Sequence, residues 1–493
     1  MTDHCEPALF PLPLTAFEQY MLRDDRPAYP MTFEMRARLS GAADRAALEA
    51  ALEEALSRHP MLCAVIDRNG VHGPQWCDGG TRRPPLDWGP AGKPLAYEDG
   101  PAIDLTRQVG LRVWVRVAAT TTQMALQFHH ACVDGIGAMQ FFGDLLAAYG
   151  IRMAAGQAAP VLLPLDRGRL RRRGSFAAPA ADVPIRRLQA LRATMHEAVK
   201  WLSRRPALLE APPTAPDAGA TDSAFPVILS HALEEEETRR LRRAAVRMQA
   251  TLNDLCLRDM FLTLKQWNEA HHPKRPGQWL RINVPTNLRG HGDAAMPAAN
   301  MLSFAFVTRH LRQCENEQAL LEGVRWETAM IRRWSLGLYF LGALEFGRRV
   351  PGLMRLFLGG QHCFATAIVT NLGEITRRMG ARFPRHDGKL VAGNLVLEEW
   401  LGVPPLRPKT RAGFAIGVFN DRLTVALRCD PHCFSLEDSR QLLMLYVATL
   451  KDGLSQAEDA GQLQISPLPQ AGEGRPLSFP LTYSLKTIPH GKL

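Results

Sequence analysis

Apolar and polar residues alternate from Met31 to Leu39, with Phe33, Met35, Ala37 and Leu39 on one face and charges largely on the other. This predicts a half-buried strand. The pattern then becomes helical: Leu48, Leu52 and Leu56 recur along one face, Asp44 is placed to cap the helix, and His59-Pro60 ends it. A further alternation from Leu111 to Val117, a Thr-rich turn at Thr120–Thr122 and a strand from Gln123 to His130 predict a hairpin. Met139, Phe142, Leu145 and Leu146 predict a helix over 137–149, with Gly150 just past its end. His129 and His130 therefore fall at the end of a strand, immediately before a turn into a helix.

A basic helical region over 185–203 precedes Pro206 and a stretch rich in Pro, Gly and Ala at 211–220, whose composition cannot build a core. This divides the chain into a first lobe (1–204), a linker (205–224) and a second lobe (225–455). The second lobe is read as helices over 233–247 and 252–269, a strand over 279–284, and a hairpin of 414–419 and 423–427 around Asn420-Asp421-Arg422. A final helix opens at Ser435 in an S-x-x-D capping pattern and ends near Gly453. Residues 456–493, dotted with proline and without periodicity, are expected to be a disordered tail. The fold class is α/β (α+β): two lobes built on mixed sheets.

Composition narrows the partners. The 493 residues are 46% hydrophobic and 22% charged, an ordinary globular balance for two domains. Nine cysteines, an odd number without a C-x-x-C pair, argue against a disulfide framework or a zinc ribbon and fit a reducing compartment. The N-terminus shows no secretory pattern, so a cytoplasmic location is expected. The apolar window Leu336–Phe346 is shorter than the roughly 20 residues of a spanning helix and is flanked by arginine pairs, so it suits peripheral contact with a membrane. The net charge of +10 favours acidic partners, but the basic run at 167–173 lacks interleaved aromatics, so no nucleic acid is expected. No G-x-S-x-G elbow, P-loop or H-E-x-x-H motif is present.

Alternation along Met124, Leu126, Phe128 and His130 puts His130 on the apolar face and His129 on the opposite one. An imidazole at an apolar surface is poorly solvated as a cation, so it stays neutral and basic near neutral pH. Such a group can take a proton from a hydroxyl or amine. Asp134 is placed either to orient the imidazole or to hold the turn by pairing with an arginine, and Gly135 to give φ freedom or close backbone approach. Neither His129, His130, Cys132 and Asp134 nor the Cys429–Cys433 cluster has a recognised metal-ligand spacing, so no metal is expected.

The stretch from His129 to Gly135, H-H-x-x-x-D-G, resembles the active-site motif of the chloramphenicol acetyltransferase-like superfamily. That superfamily includes condensation domains, alcohol acetyltransferases and wax ester synthase/diacylglycerol acyltransferases. Similar landmarks are Leu39-Ser40-Gly41, Arg58-His59-Pro60-Met61-Leu62, Val284-Pro285-Thr286-Asn287-Leu288-Arg289, Asn300–Phe304 and Thr370-Asn371-Leu372-Gly373. The resemblance implies two such lobes with a tunnel between them, entered by an acyl thioester from one side and an alcohol or amine acceptor from the other. It implies His130 as general base without a covalent acyl-enzyme, and Asp134 as a structural residue paired with Arg289 or Arg281. Asn371 or a neighbouring backbone N–H would be the oxyanion donor. No cofactor would be held permanently, and acyl-CoA or a phosphopantetheinyl acyl-carrier would be the co-substrate, with an acyl or peptidyl carrier protein as a possible partner. The Asp-Phe-Gly-Trp-Gly motif of condensation domains is absent, so peptide-bond formation is not implied. The alternative is a non-catalytic, condensation-like protein that binds an acylated carrier or lipid.

Overall fold

The computed structural model describes residues 8–70, 73–156, 158–176, 199, 201, 203–213, 227–272, 279–333, 337–359, 362–380 and 382–459. Among these the strands form two large mixed sheets and one small sheet. The predicted strand is Thr32–Ser40, and the predicted hairpin is Leu111–Val117 with Thr121–His129. Thr32–Ser40 and Thr121–His129 pair antiparallel, with Thr32 opposite His129, so the early strand fixes where the histidine strand ends. Asp44 caps the helix Arg45–Arg58 by accepting from Ala47 N, as its residue type favours.

The first sheet does not end with the first half of the chain. Strands Arg385–His386, Lys389–Ala392 and Leu395–Val403 extend it, and Leu395–Val403 lies antiparallel beside Thr32–Ser40. The lobes therefore interlock instead of following one another in sequence across 205–224. The second sheet runs in the order Leu302–His310, Trp279–Asn287, Ala367–Glu374, Ala412–Phe419, Arg422–Cys429, Leu229–Ala232. Its strand Ala367–Glu374 pairs parallel with both neighbours, while the remaining pairs are antiparallel. The hairpin turn is made by Asn420 and Asp421, both at positive φ (47° and 57°), the conformation a two-residue type I′ turn needs.

Several boundaries differ from the expectation, each for a physical reason. Gly150 does not end its helix, which runs Gly135–Met153. A Cβ there would lie 2.7 Å from Pro160 and 3.0 Å from the Ala392 backbone, so glycine permits the close approach of neighbouring segments. Gly453 likewise lies inside the last helix, Leu436–Asp459, where a Cβ would meet the Arg258 guanidinium at 2.3 Å. The start of the expected linker is packed: Leu209 is buried in the second core, and Asn268 satisfies the backbone of Leu208 and Glu210. Most of the basic region 185–203, most of the linker to 224, and residues 460–493 of the expected tail lie outside the described residues.

A buried polar cluster ties the lobes together. Asp144 accepts from Arg58 Nε at 2.7 Å and His59 Nε2 at 3.1 Å, and pairs with Arg382. His59 Nδ1 accepts from Ala298 N at 2.9 Å, which fixes the proton on Nε2. Burial alone would raise the Asp144 carboxyl, but the bonds and charges of His59, Arg382 and Arg58 hold it down at about 2. No helix among the described residues is long and apolar enough to cross a membrane.

Candidate active site between the two sheets

Strand parity builds the site. Phe33 and Met35, then Trp400 and Gly402, face inward from the first sheet. Asn283 and Pro285, Leu302 and Phe304, and Ile368, Thr370 and Leu372 face them from the second, each series spaced by two residues. Together with Tyr20, Met21 and Asp24 of the helix Ala16–Asp24, they enclose a largely apolar cavity of about 80 Å³. Both His130 and Gly135 line it.

His130 sits one residue past its strand, held by a backbone bond from its N–H to Met31 O at 2.8 Å. It is 8% exposed, with its ring tilted against Phe33 at a centroid separation of 4.9 Å. Asn300 donates its side-chain amide to the His130 carbonyl, and the same nitrogen lies 3.5 Å from Nδ1, too long for a strong bond. Nε2 has no partner among the described residues. Burial pushes the imidazole down to about 4, against the opposing pull of its own carbonyl, Asp134 and the Val133 carbonyl. The group is thus a neutral imidazole at neutral pH.

That shift has a sign that can be checked. Between pH about 6.5 and about 4 the unfolded chain protonates at this position and the folded chain does not, so stability falls as pH is lowered through that window. His59, also depressed by burial, adds in the same direction. Urea midpoints should decrease from about pH 7 to about pH 5, and His130→Gln should flatten part of the slope. Because the buried Asp259 carboxyl, pushed up to about 6 by burial, acts in the opposite direction, the test is the difference between the two slopes: a His130→Gln slope identical to that of the wild type would contradict the burial of this neutral ring.

His129 points the other way. Its Nδ1 accepts from Ala131 N at 3.1 Å, and Nε2 faces Asp25 at 3.4 Å, so it stiffens the turn and does not reach the cavity. Asp134 caps the Gly135–Met153 helix by accepting from Gly137 N at 2.8 Å. Its second oxygen accepts from Met301 N and Arg289 Nη1, both at 2.7 Å. Arg289, of the two arginines named from the sequence, is the partner. Arg281 is buried elsewhere, donating to Thr308 and to the carbonyls of Trp201 and Arg204.

Two expectations are corrected. Gly135 does not have a positive φ, and a Cβ there would meet only Leu372 at an ordinary 3.7 Å. The steric demand falls on Gly137, whose Cβ would lie 2.9 Å from the Ala299 carbonyl, so Gly135 matters by leaving cavity space. Asn371 is exposed, with its side chain bonded to Asn253 at 2.8 Å and to Gly373 N at 2.8 Å, while Thr370 and Leu372 face the cavity. A bulge between Asn371 and Gly373 gives this local geometry. Asn300, which touches His130, carried a sequence signal only as part of the Asn300–Phe304 landmark.

Among known proteins, no family model matches the chain. Two curated relatives, both named as uncharacterised proteins and belonging to the Oshkosh and H37Rv strains of Mycobacterium tuberculosis, are each 25% identical over 357 residues. The match covers 70% of this chain and 77% of theirs. The first condensation domain of the calcium-dependent antibiotic synthetase superposes with a TM-score of 0.62 at 16% identity, covering 92% of this chain and 100% of that one. A mutant starter condensation domain of rhizomide synthetase, in complex with C8-CoA and Leu-SNAC, gives 0.61 at 15%, covering 92% and 95%. Polyketide synthase associated protein 5 from Mycobacterium tuberculosis gives 0.57 at 14%, covering 91% and 98%. The chain has the two-lobed α/β fold of condensation domains, the fold its H-H-x-x-x-D-G motif led us to expect.

Proposed function

We propose that the chain is an acyltransferase that moves an acyl group from a thioester of coenzyme A or a carrier protein directly to a hydroxyl or amine. The observation that carries this reading is His130 buried in the wall of a largely apolar cavity lined from both sheets, where burial favours the neutral, basic imidazole. In the proposed step Nε2 takes the acceptor proton as oxygen or nitrogen attacks the thioester carbonyl. The carbon–sulfur bond breaks, and the imidazolium returns its proton to the leaving thiolate. The low-dielectric apolar wall keeps the base neutral and excludes water that would otherwise hydrolyse the thioester. Asp134 has no part in proton transfer: its oxygens are committed to Arg289, Met301 and Gly137. The starter domain found with C8-CoA and Leu-SNAC supports thioesters as the substrate class for this fold.

The test is incubation with a panel of acyl-CoA and acyl-carrier thioesters and alcohol or amine acceptors, following thiol release and product mass. Acceptor-dependent thiol release with the matching ester or amide is expected. If no thioester supports transfer while acylated carrier or lipid still binds, the protein is a binder instead of a catalyst.

A further inference from the structure

The helix Gly337–Arg349 turns tightly, with Leu353 N bonded to Val350 O at 3.2 Å, into the short helix Leu353–Gly359. The two pack closely: a Cβ on Gly347 would lie 2.8 Å from Met354 Sδ. Both bury one side in the same core, the first through Leu341 and Leu344, the second through Met354 and Leu358. Arg26 fastens the second helix by donating to the Leu358 carbonyl. Their other sides face solvent. At about 3.6 residues per turn, Gly342, Ala343, Phe346, Arg349 and Val350 form one stripe opposite the core, and all five are exposed. Phe346 is 63% exposed, and Leu356, two residues from Met354 and so on the outer side of its helix, is 76% exposed. A lone exposed apolar side chain needs no explanation, but Phe346, Val350 and Leu356 are grouped on the outside of one helical corner.

The charges around this corner are one-sided. Residues 331–359 hold five arginines and one acidic residue, Glu345. Glu345 accepts from Arg348 Nε at 2.5 Å, whereas the exposed Arg332, Arg349 and Arg355 have no acidic partner among the described residues. Apolar side chains flanked by free guanidinium groups match the boundary of an anionic bilayer, where the acyl region takes the former and the headgroup phosphates the latter. Gly342, Ala343, Phe346 and Val350 offer no side-chain hydrogen bond, which suits lipid better than a protein partner with its usual polar contacts.

We propose that this face seats the protein on an anionic membrane, with Phe346 and Leu356 entering the acyl boundary and Arg349 and Arg355 meeting lipid phosphates. The contact is peripheral, and it goes beyond the acyl-transfer reading without depending on it. On the buried side of the same helix, Phe340 packs against Phe304 and Tyr20 at ring-centroid separations of 5.4 and 5.7 Å, and both of those line the His130 cavity. A bilayer on the outer side therefore lies one helix away from the cavity.

The test is co-sedimentation of the full-length protein with vesicles of phosphatidylcholine alone and of phosphatidylcholine mixed with an equal part of phosphatidylglycerol. The wild type is expected to partition onto the mixed vesicles at least about thirtyfold better, with added salt eroding the difference. Arg349→Gln combined with Arg355→Gln should lower partition onto the mixed vesicles by about fivefold for each arginine and leave the phosphatidylcholine value in place. Phe346→Ser combined with Leu356→Ser should lower partition onto both compositions by at least about tenfold. Because all four side chains are exposed, urea midpoints of both double variants should match the wild type, which separates lost binding from lost folding. Absence of wild-type binding to the mixed vesicles, equal binding to both compositions, or wild-type partition by either double variant overturns the proposal. A wild-type dimer that the serine pair dissociates, without vesicle binding, would assign the face to a second copy of the chain and overturn it too. Vesicle binding needs no turnover, so failure of acyl transfer would sink the acyltransferase reading and leave this result standing.

Discussion

His130→Ala is expected to lower kcat/KM for acyl transfer by about a hundredfold to ten-thousandfold, the range a positioned general base contributes. Nothing else in the cavity wall can take its place. Asp24 is held bidentately by Arg407 at 2.8 and 3.1 Å, and the Tyr20 hydroxyl is pushed far up by burial and by Asp24. With the ring gone the acceptor must lose its proton to water, which the apolar wall excludes. His130→Gln, which keeps bulk against Phe33 while removing the base, should be as slow as alanine. Asn371→Ala, with its side chain exposed and turned toward Asn253, is the contrasting variant and should cost no more than a few-fold. In the wild type, rate should be level through neutral pH and fall on the acid side as His130 takes up a proton near pH about 4. Full activity in His130→Ala, measured by thiol release with product mass, would remove His130 from the mechanism.

The parts of the fold that sequence periodicity revealed are those in which one face is buried without interruption. Phe33 to Leu39 and Met124 to Phe128 alternate in sequence because their apolar residues share one inward face, with Phe33 opposite Phe128 and stacked on it, so the split between His129 and His130 follows from parity. The crossing strand was not legible. Leu395 and Leu397 are buried at odd positions and Trp400 and Gly402 at even ones, because a bulge between Leu397 and Glu399 shifts the phase. No simple alternation survives such a shift, and nothing local announces that a segment whose residues lie 356 (Val396 and Ser40) to 369 (Val403 and Glu34) positions downstream pairs with this strand.

The same reasoning explains the site. The resemblance supplied His130, Asp134 and the choice between Arg289 and Arg281, but only three-dimensional geometry could select between the arginines. Arg281 lies on the strand interior, where Thr308 and three backbone carbonyls absorb its donors, while Arg289 lies just past the strand end, where it can reach Asp134. The roles of Gly137 and Asn300 were not legible because they depend on the Ala298–Met301 segment approaching the histidine turn from across the chain. A contact of that kind has no local periodicity to betray it.

The stability of that approach should depend on Asp134 more than on any other residue of the motif. Asp134→Ala removes the carboxylate that Arg289, Met301 N and Gly137 N share, leaving a guanidinium with only 13% side-chain exposure with neutral acceptors alone, the Ala299 carbonyl and Asn287, and the helix start uncapped. Breaking a buried pair by removing one partner costs about 3–5 kcal/mol, and cap loss alone about 0.5–2 kcal/mol. The two overlap in one side chain, so the total expected is about 3–5 kcal/mol in urea unfolding. Asp134→Asn keeps the neutral cap and one oxygen, and should fall between wild type and alanine. Removing Arg289 instead should cost less than Asp134→Ala, because the backbone donors of Met301 and Gly137 still hold the carboxylate. Transfer by Asp134→Asn should fall through misplacement of the Asn300–Met301 segment beside His130, and the acid limb of the pH profile should move to lower pH, because the Asp134 charge is one of the influences that raise the imidazole. An alanine variant as stable as wild type, yet as slow as His130→Ala, would make Asp134 a participant in the chemistry instead of the joint that sets the histidine in place.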